Sequence, residues 1–252
     1  MWPFGTNQGG KPTTGHDLVY AIGDVHGRLD LLRTMVDHIA IDAHEVGPGR
    51  RPVLVLLGDY IDRGPHSRQV IDLAIELGER GAFELHCLKG NHEQAMLTFL
   101  ADAATGPAWI AHGGAETLVS YGVQPPAIHA DEEAWIAAQA SLAAAAPASH
   151  VAFLKALDCS FIVGDYLFVH AGVRPGVDLH LQSEQDMLWI RREFLKSPRA
   201  CEKVVVHGHT PAEQPYTGRW RIGIDTGAYA TGLLTAVRLD RTSRSILQAR
   251  MG

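Results

Sequence analysis

Leu18-Val19-Tyr20-Ala21-Ile22 runs without a polar break into Gly23-Asp24-Val25-His26-Gly27. A continuous apolar run of this length, without alternation, suits a strand buried on both faces. A run that stops at Gly, Asp and His sets polar side chains at its carboxyl end. The same construction recurs along the chain. Val53 to Leu57 runs into Gly58-Asp59-Tyr60-Ile61-Asp62-Arg63-Gly64, and Phe83 to Leu88 leads to Gly90-Asn91-His92-Glu93. Tyr166 to Val169 ends at His170-Ala171-Gly172, and Val204 to Val206 at His207-Gly208-His209-Thr210. Between the first three runs, Leu29, Leu32, Val36 and Ile39 keep helical spacing. So do Ile71, Ala74 and Leu77, after a candidate Ser67 cap and with Gly78 near the end. Alternating strand and helix predicts an α/β fold, in which ligands gather beyond the carboxyl ends of strands. Trp220 to Ile224 and Leu233 to Leu239 return to strand, so the sheet is expected to be mixed.

The chain has 252 residues, 46% hydrophobic and 20% charged, enough apolar content for a sizeable core. A net charge of −6 argues against nucleic acid as the main partner. Cys87, Cys159 and Cys201 match no zinc spacing and are expected to be reduced thiols. Met1 to Asp17 is polar and glycine-rich, unlike a secretory leader, and no run reaches the roughly 18 apolar residues of a membrane span. A soluble, cytoplasmic protein without a membrane partner is the expectation. The segment 101–149 differs in character: it is rich in alanine, with Gly113-Gly114, Pro125-Pro126 and a helix-like stretch from Glu132 to Ala146. Candidate site residues precede and follow it, so it reads as a helical insertion or cap on a single domain spanning 1–252.

Asp24 and His26, two residues apart at a strand end, can both reach one ion. Asp59, Asn91, His170 and His209 stand at the ends of later runs. Carboxylate, imidazole and amide oxygen suit manganese, iron, zinc or nickel rather than calcium. One such residue alone is usually only a cap; the ordered set has no comparable structural explanation.

In this order the motifs resemble the phosphoprotein phosphatase family of calcineurin-like metallophosphoesterases. The resemblance implies two packed mixed β-sheets flanked by helices and a site for two divalent metal ions, manganese first. It assigns Asp24, His26 and Asp59 to one ion. Asp59 bridges to a second ion, held also by Asn91, His170 and His209. Pro211 stands where many metallophosphoesterases place a further histidine ligand, a departure that favours the phosphoprotein phosphatase branch. His207 shares a strand face with His209 and is taken as supporting or structural, the motif selecting His209. The implied chemistry is attack on phosphorus by a metal-bridging hydroxide. His92 would be the general acid, Asp62 would fix its tautomer, and Arg63 and Asn91 would contact the phosphate. Glu93 and the remaining histidines are expected to be structural or solvated. Trp109, Trp135 and Trp189 are expected to be packing groups rather than a substrate platform.

The family draws a second phosphate-binding arginine from the region between His170 and the last histidine, where Arg191 and Arg192 are adjacent. If a helix starts at Ser183 and ends before Pro198, the apolar face of Met187, Leu188, Phe194 and Leu195 centres at about 40°. Arg191 falls there too, while Arg192 lies at about 140°, so Arg191 is selected. The alternatives are an ion pair to Asp165 or Asp186, or a break in the helix. Trp109 to Gly122 resembles bacterial protein phosphatases, which makes a phosphorylated protein or peptide the first candidate substrate, by way of a serine/threonine protein phosphatase. A dinucleotide polyphosphate, as for symmetrical diadenosine tetraphosphatases, is the alternative. A noncatalytic metal-binding scaffold ranks last, since no ligand or general acid is missing.

Overall fold

The computed structural model describes residues 10–250. Its strands are β1 (Leu18–Ile22), β2 (Val53–Leu56), β3 (Glu84–Cys87), β4 (Ser160–Val163), β5 (Tyr166–Val169), β6 (Val204–His207), β7 (Tyr216–Thr217), β8 (Arg221–Gly223), β9 (Leu233–Asp240) and β10 (Ser243–Arg250). They form two five-stranded sheets, ordered β10-β9-β1-β2-β3 and β4-β5-β6-β8-β7. In the first, β1, β2 and β3 are parallel and β9 and β10 close the edge antiparallel. In the second, β5, β6 and β8 are parallel, with β4 and β7 antiparallel at the two edges.

The unbroken apolar runs follow from the layering. Val19 and Ala21 face the space between the sheets, where they meet Val55, Phe168, Val206, Ile224 and Val237. Leu18, Tyr20 and Ile22 point the other way, into helices α1 (Leu29–Val46), α2 (Ser67–Arg80) and α3 (Asn91–Ala101). Each side of β1 is therefore dry, and every position along it must be apolar. β3, at the sheet edge, is the exception: its residues are half-buried or exposed. The two sheets pack face to face with helices outside, an α/β sandwich.

The segment 101–149 does not stand apart. Its helices α4 (Gly106–Trp109), α5 (Ala115–Ser120) and α6 (Glu132–Ala145), followed by α7 (Ala148–Ala156), bring Trp109, Leu118, Trp135 and Leu142 into the same cluster as Leu32 and Leu54. Among the described residues no single helix is long and apolar enough to cross a membrane.

Two local expectations need correction. Ser67 does not cap α2: His66 occupies that position, and the Ser67 hydroxyl instead accepts the Asp62 N–H at 3.0 Å. Gly78 does lie near the end of α2, which runs to Arg80 and stops at Gly81, left-handed at φ 65°. The helix expected over 183–198 is two short ones, α8 (Glu184–Trp189) and α9 (Arg192–Lys196). Ser183 does cap α8, its side chain accepting the Asp186 N–H. Ile190 is then extended and Arg191 takes φ −129°, ψ −91°. Leu188 and Phe194 are buried on either side of the break, while Arg191 is exposed and lies in no apolar face.

Candidate metal centre and active site

Two sets of parallel strands point their carboxyl ends at one place. β1, β2 and β3 deliver Asp24, Asp59 and Asn91; β5 and β6 deliver His170 and His209. The loops approach closely, and two glycines are required for it. A Cβ on Gly58 (φ +101°) would stand 2.5 Å from the Gly90 nitrogen, and one on Gly208 2.0 Å from Asp24 Oδ1.

Asp59 is central. Its Oδ2 lies 3.4 Å from His170 Nε2, 3.5 Å from His26 Nε2 and 3.8 Å from His92 Nε2. His170 Nε2 is 3.0 Å from Asn91 Oδ1 and 3.2 Å from His209 Nδ1. Two groups of donor atoms result, His26–Asp59–His92 and Asp59–His170–His209, sharing Asp59. Backbone carbonyls set the tautomers: His170 Nδ1 donates to Leu57 O at 3.0 Å and His26 Nδ1 to Ile61 O at 2.8 Å. The opposite nitrogens therefore present lone pairs toward Asp59. Burial keeps these rings neutral, lowering His26 to about 3 and His209 to about 2, with His170 also lowered. Burial alone would raise the Asp59 carboxyl, but positive charge on a neighbouring ring, His170 first and then His92, pulls it down, and His92 is the ring that keeps its proton.

Lone pairs facing lone pairs and a carboxylate are unfavourable without a cation between them. His209 Nε2 is buried without a partner. Mixed nitrogen and oxygen donors around a shared carboxylate fit a pair of divalent transition ions.

Asp24 stands beside these groups rather than within them. Its two oxygens accept the His209 N–H at 3.1 and 3.0 Å. Burial, then Asp225, then Asp59 push its carboxyl well up, as expected of crowded buried carboxylates lacking a counter-ion. Burial also raises Asp225 to about 6. The sequence reading passed over Asp225, although Asp225-Thr226-Gly227 follows Ile222 to Ile224 in the pattern used elsewhere.

His92 donates from Nδ1 to Asp62 Oδ2 at 2.6 Å. Burial opposes charge on this ring, but Asp59 and Asp62 outweigh it and raise it to about 9. Asp62 is fully buried, and the other partners of its carboxylate come from the segment 101–149. Trp109 Nε1 donates to Oδ2 at 2.8 Å and Thr117 Oγ1 to Oδ1 at 2.5 Å, while the Asp62 N–H reaches Thr117 Oγ1 at 2.9 Å. The Arg63 N–H donates to Gly113 O at 3.0 Å. Arg63 Nη2 lies 3.2 Å from His92 Nε2, and the guanidinium covers the Tyr229 ring at 4.6 Å. Glu93 is buried, not solvated: it accepts the N–H groups of Asp59 (2.9 Å), Tyr60 (2.8 Å) and Gly90 (2.8 Å) and so braces the Asp59 loop.

Among the described non-glycine residues, left-handed backbone occurs at His26 (φ 44°), Asp59 (51°), Asp62 (71°), Arg63 (66°) and His209 (64°), and elsewhere only at Arg241. Such conformations cost about 1–3 kcal/mol each and collect where surrounding structure enforces them for function.

His207 points away, its Nδ1 donating to Gly208 O at 3.0 Å and its Nε2 3.3 Å from Arg221 Nη1. Arg191 reaches Thr210 Oγ1 at 3.4 Å, and its charge helps keep His170 and His209 neutral. It arrives through the chain break rather than the expected helical face. Neither expected ion pair forms: Asp186 is taken by Arg174 and Asp165 by the Thr13 N–H. Trp109 is buried but polar in role, and Trp135 packs in the core. Trp189 corrects the packing expectation: it is 40% exposed.

The comparisons agree with this geometry. A "Bis(5'-nucleosyl)-tetraphosphatase PrpE [asymmetrical]" of Bacillus thuringiensis (strain Al Hakam) is 28% identical over 238 residues, covering 86% of this chain and 88% of the relative. A crystal structure provisionally assigned as a diadenosine tetraphosphatase superposes with a TM-score of 0.63 at 18% identity, over 94% of this chain and 95% of the other. A point mutant of a cold-active protein tyrosine phosphatase gives 0.56 at 18% identity, over 93% and 81%. At these identities the two structures speak for the fold alone. The profile of the calcineurin-like phosphoesterases matches residues 18–230, most of the chain and every strand-end motif described above, and the chain belongs to that family.

Proposed function

We propose that the chain is a dinuclear-metal phosphoesterase whose substrate is a dinucleoside polyphosphate. The observation that carries the reaction class is the pair of donor groups sharing Asp59, with the His92–Asp62 pair against them. The choice of substrate leans on the tetraphosphatase relatives matched over most of both chains. This reverses the order expected from sequence, where a serine/threonine protein phosphatase came first.

Asp59, common to both donor groups, would be shared by the two ions; Asp24 and His26 would hold one and Asn91, His170 and His209 the other. Bound there, two divalent ions supply a water ionised near neutral pH and positive charge against the phosphoryl oxygens. The protein residues do the rest. Arg63, beside His92, and Arg191, beside Thr210, grip phosphate oxygens, together with Asn91. His92 presents its Nε2 proton to the leaving oxygen, while Asp62 holds Nδ1–H and stabilises the charged ring. Trp109 and Thr117 fix Asp62 in turn, as positioning residues.

The protein-phosphatase reading is the second. Pro211 and the resemblance of Trp109 to Gly122 favour it, but in the fold the latter segment braces Asp62 and Arg63, a duty common to both substrates. A noncatalytic scaffold is disfavoured by the complete His92–Asp62–Arg63 set.

A panel on manganese-loaded protein tests this: a dinucleoside tetraphosphate against phosphoserine, phosphothreonine and phosphotyrosine peptides. The dinucleotide should give the highest kcat/KM. Asymmetric cleavage should release a nucleoside triphosphate and a monophosphate; two diphosphates would restore the symmetrical mode expected from sequence. A phosphopeptide outranking the dinucleotide would return the protein to the second reading.

A further inference from the structure

Three large tryptophans lie in the catalytic half of the fold, and their exposure separates them. Trp109 and Trp135 are each 3% exposed, but Trp189 is 40% exposed. Its ring stands 6.3 Å from that of His209, nearly perpendicular at 81°, so it borders the Asp59–His170–His209 group. The ring is held in place. Trp189 Nε1 donates to Gln94 Oε1 at 2.8 Å, and Gln94 lies on α3, the helix that begins with Asn91 and His92. An indole kept only for packing would be covered, as the other two are. A fixed indole with an open face beside a phosphate site is a stacking surface.

The chain break gives this surface a companion. Ile190 is extended and buried (6% exposed), while Trp189 and Arg191 are exposed, an out–in–out pattern. The Arg191 guanidinium turns toward Thr210, next to His209. A planar aromatic ring and a cationic fork thus both border His209.

We propose that Trp189 is the platform on which one nucleobase of the substrate stacks while Arg191 holds the phosphate of the same nucleotide. The inference rests on the dinucleotide reading and adds to it the residue that distinguishes a nucleotide ester from an aliphatic one. Base–aromatic stacking contributes about 5- to 150-fold in affinity.

The experiment compares kcat/KM for a dinucleoside tetraphosphate with kcat/KM for glycerol phosphate, on the manganese-loaded full chain. In Trp189→Ala the ratio should fall about 5- to 150-fold, through KM of the dinucleotide rather than kcat, and Trp189→Phe should recover most of it. An equal loss on both substrates would show that Trp189 merely supports His209 and would overturn the proposal. A second readout needs no turnover. Adenosine monophosphate added to metal-free protein should quench the Trp189 emission, with Trp189→Phe as the blank for the other tryptophans; ribose 5-phosphate should not. Equal responses to both, or none, overturn the platform. If the wild type fails to cleave the dinucleotide, the proposed function fails, and the quenching result still decides whether a base stacks on Trp189.

Discussion

Thr117→Val tests whether the segment 101–149 belongs to the active site. The substitution keeps the shape of a fully buried side chain and removes one hydroxyl. That hydroxyl donates to Asp62 Oδ1 at 2.5 Å and receives the Asp62 N–H at 2.9 Å. After the change Asp62 keeps His92 and Trp109 on Oδ2, and its N–H keeps Ser67 at 3.0 Å, but Oδ1 loses its donor. A hydrogen bond to a charged group contributes about 1.5–3 kcal/mol. At about 2–4 °C per kcal/mol for a chain of this size, the melting temperature should drop by about 3–12 °C. If the whole loss reached the transition state, turnover of an alkyl ester would fall at most about 150-fold. It should fall far less for an aryl phosphate, whose leaving group scarcely needs the His92 proton. Thr117→Ser, which restores the hydroxyl, is the control. Calorimetry and steady-state kinetics read both quantities. A melting temperature within about 1 °C of wild type would refute the account of Asp62 as a carboxylate that depends on this donor.

Chelation should abolish turnover, and Mn²⁺ or a similar transition ion should restore it; full turnover with metal content verified as nil would sink the dinuclear reading. Asp59→Asn should lose bound metal at both positions by elemental analysis, whereas His26→Asn should weaken one; the reverse order would undo the bridge. His92→Asn should retain metal but lose about 10²- to 10⁴-fold on alkyl esters and much less on an aryl phosphate, and an equal loss on both would assign His92 another task. Arg191→Ala should weaken vanadate inhibition about 10- to 150-fold, with Arg192→Ala nearly silent; a larger effect at Arg192 would move the phosphate contact to α9.

Much of this protein is written locally. The runs at Leu18, Val53, Tyr166 and Val204 mark strands dry on both faces because each must satisfy two apolar layers, and that constraint acts residue by residue. The polar residues ending those runs are legible for the same reason: a strand end is where the chain leaves the sandwich, so Asp24, Asp59, Asn91, His170 and His209 declare the element's end and a candidate site. Asp225 obeyed the same rule and was readable. What the sequence could not supply is whatever depends on pairs distant along the chain. Thr117 and Trp109 reach Asp62 from 55 and 47 residues away, with no periodicity to announce it. The left-handed backbone at His26, Asp59, Asp62, Arg63 and His209 is imposed by loops pressing on one another, against local preference. At Arg191 local spacing misled: the helical angles do not apply, because Ile190 is extended and the chain breaks into two short helices there. Identity of the candidate donor residues was local information; the gathering of His26, His92, His170 and His209 around Asp59, and the exposed indole beside them, were decided only by the packing of two sheets.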